Sequence, residues 1–156
     1  MREYLFRGKR IDNSEWIEGS LIIYDWDNNY VSIYSTEEEM AFQVDPETVG
    51  QYTGLTDKNG KKIFEGDVFK FDDEVWEGCN SECGMEWGSW AVENYAVVGF
   101  DEDESRYDFV RYKYNENSVR ADLHENHDLE FSEFVEELEV IGNIHDNPEL
   151  LEGVEE

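Results

Sequence analysis

The segment from residue 48 to residue 68 constrains the fold most, because it combines four glycines with a run of turn-forming residues. Asn59 and Gly60 are residue types that accept the two positive φ angles of a tight hairpin turn, and we predict that both adopt them. Gly66 and Asp67 then lead into Val-Phe-Lys-Phe at 68–71, which are strand-forming types. The segment predicts a hairpin-like antiparallel unit. Five residues are expected to be structural turn residues: Gly54, Asn59, Gly60, Gly66 and Asp67.

Strand patterns dominate the rest of the chain. β-branched and aromatic residues bounded by turn residues predict strands over 4–10, 16–24, 30–34, 41–44, 95–100 and 107–114. Few helices are expected. Asp45 before Pro46 suits a capped helical turn, and Asn147 before Pro148 suits another.

One helix is predicted from apolar spacing. Phe131, Phe134, Val135 and Leu138 fall at i, i+3, i+4 and i+7, which is one apolar stripe of a short helix. The fold class is therefore mostly β, with antiparallel sheets or a small barrel and one or two short helices.

Three ordered blocks of the chain resemble the YopX family of phage and prophage proteins. They are FRGKRIDNSEWIEGSL at 6–21, the segment 48–68, and EVIGNIHDNPELL at 139–151. That family often has Gly where this chain has Ser14. The resemblance implies a single YopX-like domain over 1–156 with a loose tail at 152–156, in a phage or prophage protein. It implies no catalytic residues.

Residues 72–94 depart from the family pattern. In many relatives the strand that follows Gly66 and Asp67 leads soon into the next strand, which here is 95–100. The intervening stretch holds both cysteines and three of the five tryptophans. We expect an insertion, either an elaborated loop or an added hairpin, that is peripheral to the body.

The charge excludes several classes of partner. Forty Asp and Glu oppose 12 Lys and Arg, which gives a formal net charge of -28. Such a charge disfavours direct binding to nucleic acid or to an anionic membrane, and favours cationic partners or polyanion mimicry. The N-terminus lacks the apolar region of a signal peptide. With the phage resemblance, this predicts a protein of the host bacterial cytoplasm.

Metal sites are weakly indicated. Cys79, Cys83, His124 and His127 are the right ligand types for zinc, but their spacing is loose. We favour free cysteines and surface histidines, and expect no metal or other cofactor. The acidic runs 72–74 and 101–104 lack the spacing of a calcium loop, and the second is expected to be a charged hairpin turn.

No motif for catalysis is present. The sequence lacks a Gly-x-Ser-x-Gly elbow, a His-Glu-x-x-His pair and a phosphate loop, so we do not expect an enzyme. Two interpretations follow. The first is a non-catalytic protein-interaction module that forms a homo-oligomer and contacts a host or phage protein. The second is an acidic nucleic-acid mimic that inhibits a host DNA-binding protein.

Overall fold

The described strands form two antiparallel sheets, which confirms the mostly β fold class. The structure is a computed structural model that describes residues 3–24, 29–77, 88–113 and 131–152, with the backbone alone over 71–77, 88–92, 111–113 and 133–134. The six-stranded sheet has the order β4-β3-β2-β1-β5-β6. Its strands are β1 (Phe6–Lys9), β2 (Trp16–Ile23), β3 (Val31–Ser35), β4 (Met40–Val44), β5 (Gly50–Thr56) and β6 (Lys62–Phe64).

The first four strands curl around a small apolar core of Val31, Ile33 and Val44. The curl brings Arg10, just after β1, into an isolated antiparallel bridge with Val44 at the end of β4. In the described residues no ladder continues from this bridge, so the six-stranded sheet stays open. The described strands thus form two open sheets and not the small closed barrel considered above.

The turn between β5 and β6 corrects one prediction. Only Gly60 has a positive φ, 79°, and Asn59 does not share it. The reason is the buried carboxylate of Asp57, which accepts the backbone N–H of Asn59 and of Lys61, each at 2.9 Å. The Gly60 N–H also donates to the Asp57 carbonyl at 2.9 Å. This is a type I turn closed by a left-handed glycine.

The second sheet has the order β10-β7-β8-β9. Its strands are β7 (Asp67–Glu77), β8 (Gly88–Asp101), β9 (Arg106–Lys113) and β10 (Val140–Asn143). β7 and β8 pair continuously from Val68 opposite Val97 to Glu77 opposite Gly88. The described ends of the 72–94 insertion therefore lengthen this hairpin, and 78–87 lies outside the described residues.

Short helices fill the connections. Asp45 caps a 3-10 helix at Pro46–Thr48 by accepting the Glu47 N–H at 3.0 Å, as predicted. α1 (Phe131–Val135) covers the main core, where Phe109 packs edge-on against Phe69 and Phe131. No helix of the described residues is long and apolar enough to span a membrane.

The final helical turn forms at Pro148–Leu151 as a 3-10 helix, but the predicted cap is wrong. The Asn147 side chain makes no cap hydrogen bond to this helix. Its carbonyl oxygen instead accepts the Asn143 backbone N–H at 3.4 Å, because the preceding turn brings that donor close.

Candidate functional site

The most elaborate polar arrangement in the described residues lies where the two sheets meet. We call it the junction cluster, and it consists of Arg7, Trp16, Asp67, His145 and Asp146. Arg7 and Trp16 come from neighbouring strands of the six-stranded sheet, Asp67 begins β7, and the last two follow β10. The cluster thus joins both sheets through residues that are far apart in sequence.

Arg7 is the centre of the cluster and is only 8% exposed. Its guanidinium lies over the Trp16 ring at 4.8 Å and over the Phe64 ring at 4.9 Å, so it is stacked between two aromatic side chains. Its Nη2 lies 2.6 Å from Oδ1 of Asp67 and also donates to the Glu65 carbonyl at 3.2 Å. Its Nε is buried without a hydrogen-bond partner. Arginine suits this place because its planar head can stack and donate together.

Asp67 is almost completely buried, at 1% exposure. Its Oδ2 accepts the Phe64 backbone N–H at 2.8 Å, while Oδ1 faces Arg7. Burial raises the pKa of Asp67, and the opposing charge of Arg7 and the Phe64 hydrogen bond limit that rise. Gly66, with φ at 84°, turns the chain so that its backbone bonds both Val98 and Ile144.

Asp146 is held by donors from three side chains. Trp16 Nε1 donates to Oδ2 at 2.7 Å, Asn143 Nδ2 donates to the same oxygen at 3.0 Å, and Lys9 Nζ pairs with Oδ1. Burial acts to raise the pKa of Asp146, but these hydrogen bonds and the Lys9 charge outweigh it and lower the pKa to about 2. Asp146 is therefore ionised at neutral pH.

His145 completes the cluster beside Trp16, with 5.9 Å between the ring centroids. Burial lowers the pKa of His145, and the charges of Arg7 and Lys9 lower it further, against Asp146 and Asp45. The imidazole is consequently neutral at pH 7. A neutral ring avoids adding a further cation beside two that are already present.

The arrangement is suited to holding the sheets together. Both oxygens of Asp67 and both oxygens of Asp146 are occupied by fixed donors within the protein. Trp16 stacks and donates at once, so it links Arg7 to Asp146. The hydrogen bonds and ion pairs of these groups therefore hold the two sheets together.

The segments that meet here are the opening, middle and closing blocks of the sequence. A family model described as YopX protein matches residues 5–152. The chain belongs to the YopX family. No curated protein matches this YopX chain. It is similar to the crystal structure of protein EF1440 from Enterococcus faecalis, at 20% identity over 97% of this chain and 100% of that chain, with a TM-score of 0.48.

The sequence-predicted turn residues are found in several settings. Gly54 (φ 88°) lies where the β5–β6 register shifts, and Gly60 and Gly66 form turns with positive φ. Asp67 is more than a turn residue, because it carries the ion pair of the junction cluster. Asp101 organises the predicted acidic hairpin turn by accepting two of that turn's backbone N–H groups.

The weak zinc candidates Cys79, Cys83, His124 and His127 all lie outside the described residues, so their role stays a prediction. Within the part of the chain that the structure describes, no three His, Cys, Asp or Glu residues are placed to hold a metal ion.

Sequence reasoning did not single out Arg7, Trp16, His145 or Asp146. Each has an ordinary local context, and spacing within one block cannot indicate a partner in another block. The available signal was local composition. Two of the three YopX blocks have charged residues on both sides of an aromatic residue or of a glycine turn.

Proposed function

We propose that this YopX protein is a non-catalytic protein-interaction module that associates with copies of itself in the cytoplasm of a phage-carrying bacterium. The observation that carries the proposal is apolar surface on the six-stranded sheet and its connections. Five of the eight large apolar residues exposed in the described part of the chain lie there: Tyr4, Ile11, Ile23, Tyr34 and Met40. Single exposed apolar residues are ordinary, but five of them on one sheet and its connections favour a protein contact.

The junction cluster supports the non-catalytic part of the proposal. Its carboxylates are engaged by fixed donors, and the neutral His145 ring lies against Trp16. A general acid or base must be able to reach a substrate proton. The best-organised titratable groups of the described residues are used instead to join the sheets.

The net charge of -28 sets a condition on self-association. Two copies repel each other, so the contact must bury apolar surface and contain few carboxylates. Added salt screens the repulsion, and association is expected to tighten as salt rises.

Sedimentation velocity at micromolar concentration, from about 0.05 to 1 M NaCl, tests this. We expect the average mass to rise with salt. Ile23→Ser combined with Met40→Ser should weaken association. Val110→Ser combined with Ile141→Ser, which removes two exposed apolar residues of the other sheet, is the matched control. A strict monomer at high salt would show that the self-association proposal is wrong.

The nucleic-acid mimic is the second candidate. It needs carboxylates in regular rows, because duplex DNA carries one charge per about 1.7 Å of axis. The described carboxylate runs 37–39 and 101–104 instead lie at hairpin turns of two different sheets, and the run 72–74 lies within strand β7. We therefore rank the mimic below the interaction module.

A further inference from the structure

A groove of about 690 Å³ runs along the six-stranded sheet. We call it the acidic groove. Its walls are the segment 3–5, residues 15–20 at the start of β2, and residues 35–38 after β3. Trp16 forms part of one wall, and Tyr4, 67% exposed, lies at the rim. The volume falls within the range of about 300–1,000 Å³ typical of ligand pockets, which suits a few side chains of an extended segment.

Carboxylates dominate the groove. Five lie along it, against the two cations Arg10 and Lys62: Glu3, Glu15, Glu18, Glu37 and Glu38. Arg10 is already held by two hydrogen bonds to Asp12, which is outside the groove. The groove is therefore more negative than its composition alone indicates.

Three of these carboxylates have no cation of their own. Among the described residues, no Lys, Arg or His lies within ion-pair distance of Glu18, Glu37 or Glu38. All three are exposed, and they come from two different walls. Like charges that face one concave space repel each other, and a bound cation relieves that repulsion.

We propose that the acidic groove binds an extended, Lys- and Arg-rich segment of a partner protein. This inference rests on the proposed interaction function and specifies the chemistry of a second, non-identical partner. The carboxylates supply the charge complementarity, and the Tyr4 ring, 67% exposed at the rim, suits the stacking of an arginine head. The Trp16 ring contributes to the groove wall only, because it is already engaged by Arg7 at 4.8 Å and by Lys9 at 5.6 Å.

The test uses a fluorescein-labelled peptide of four arginines separated by glycines, titrated with the full-length protein at about 0.15 M NaCl. Fluorescence anisotropy reports binding. The groove variant is Glu18→Gln with Glu37→Gln and Glu38→Gln. The matched control is Glu102→Gln with Asp103→Asn and Glu104→Gln, which removes the same charge from the β8–β9 turn and spares the Asp101 carboxylate that organises it.

We expect the groove variant to weaken binding at least about tenfold more than the control variant. Equal weakening by the two variants would show only diffuse attraction to net charge, and would overturn the proposal. Absence of wild-type binding would also overturn it. Circular dichroism melts of both variants confirm folding, since none of the changed side chains is buried.

Spermidine serves as the second probe, because a polyamine offers the same charge without a peptide backbone. If spermidine displaces the peptide at an equal charge concentration, a small cation is the occupant and the peptide proposal is wrong. Sedimentation of the groove variant separates the two proposals. If the groove variant still self-associates and binds the peptide much more weakly than the control variant does, both proposals are supported. If it still self-associates but binds the peptide as tightly as the control variant does, only the groove proposal is overturned.

Discussion

Among the described residues, three other than glycine adopt left-handed backbone conformations, and all three are in hairpin loops. Glu39 (φ 54°) and Ser105 (φ 54°) each end a four-residue loop between paired strands, and Ser14 (φ 60°) lies in the loop 10–15 between β1 and β2. The Ser14 N–H donates to the Arg10 carbonyl at 3.0 Å, which fixes the loop. A left-handed conformation costs an L-residue about 1–2 kcal/mol relative to glycine. The same cost is the physical reason to expect glycine to be favoured at the position of Ser14.

Ser14→Gly is expected to raise the free energy of unfolding by about 0.5–1 kcal/mol, because relief of the left-handed strain exceeds the added entropy of the unfolded chain. Urea unfolding measures the change. Ser20→Gly is the control, since Ser20 is exposed in strand β2 and gains nothing from glycine. The explanation fails if both substitutions destabilise equally.

Gly19 is required by close packing of the backbone. A Cβ at this position would lie 1.9 Å from the carbonyl oxygen of Tyr34 on the neighbouring strand. Gly19→Ala should therefore force strands apart and cost about 2–3 kcal/mol. Gly54→Ala tests the alternative that backbone conformation, and not close packing, makes glycine necessary. Gly54 has φ at 88° but nothing within 4 Å of its Cβ position. This substitution should cost only about 1 kcal/mol, and a larger loss at Gly54 would contradict the packing argument.

At the scale of elements, the fold protects several strand edges from within. Ile11 donates to the Gln43 carbonyl at 3.1 Å, and Asp45 donates to the Lys9 carbonyl at 2.8 Å, so part of the outer edge of β4 is paired. The Asp57 carboxylate accepts the Val140 N–H of β10 at 3.1 Å. Self-association is therefore expected to use sheet faces and side chains rather than strand addition at these positions.

Among the contacts between elements, we expect the Arg7–Asp67 ion pair to stabilise the fold most. Asp67→Asn leaves a buried guanidinium without its anion and should cost about 3–5 kcal/mol. Arg7→Met combined with Asp67→Leu should cost much less than the sum of Arg7→Met and Asp67→Leu made singly, because the double change removes both buried charges.

Denaturant unfolding of the single and double variants measures the coupling. Asp12→Asn, at the exposed Arg10–Asp12 pair, is the control and should leave the unfolding midpoint close to that of the wild type. Additive losses at Arg7 and Asp67 would show that the pair is not coupled.

The β7–β8 hairpin offers a test of the insertion. Removal of 72–93 and connection of Phe71 to Asn94 through an Asn-Gly turn keeps the observed register, in which these two residues are opposite each other. We expect a folded protein with one cooperative melt, since the core residues Phe69, Ala96 and Val98 are retained. Loss of the melt would mean that the insertion is part of the core.

For the molecule as a whole, a fall in pH has two opposite effects on the stability of the fold. As pH falls toward 4, protonation of surface carboxylates relieves the repulsion of a chain with net charge -28. Asp57 and Asp146 act the other way. Burial tends to raise the pKa of Asp57, but backbone donors from Val140, Lys61 and Asn59 lower it overall. The pKa of Asp146 is lowered to about 2.

A carboxylate whose folded pKa is lowered stabilises the fold above its unfolded pKa, and that stability is lost as pH falls through the folded value. Stability should therefore fall between about pH 4 and pH 2. Asp67, whose pKa is raised by burial, contributes in the opposite sense. Unfolding free energies at several pH values should show a shallower acid limb in Asp57→Asn, and a parallel limb would contradict this role.

The local elements could be predicted from the sequence. Turn residues, β-branched runs and the Asp45–Pro46 cap depend on neighbours within a few positions, and so most strands and the short helical turns were predictable. Strand β10 (Val140–Asn143) was not predicted. The family could be inferred for the same reason, because its blocks are contiguous. The prediction for Asn59 was wrong because a buried carboxylate, Asp57, set the turn.

The contacts between residues far apart in sequence could not be predicted and became visible with the fold. Arg7 pairs with Asp67 across 60 positions of sequence, and Trp16 donates to Asp146 across 130. No local spacing encodes such a pairing, because it depends on how two sheets pack. The same applies to the acidic groove, since carboxylates scattered along an acidic chain form a site only when folding places them on the walls of one concave surface.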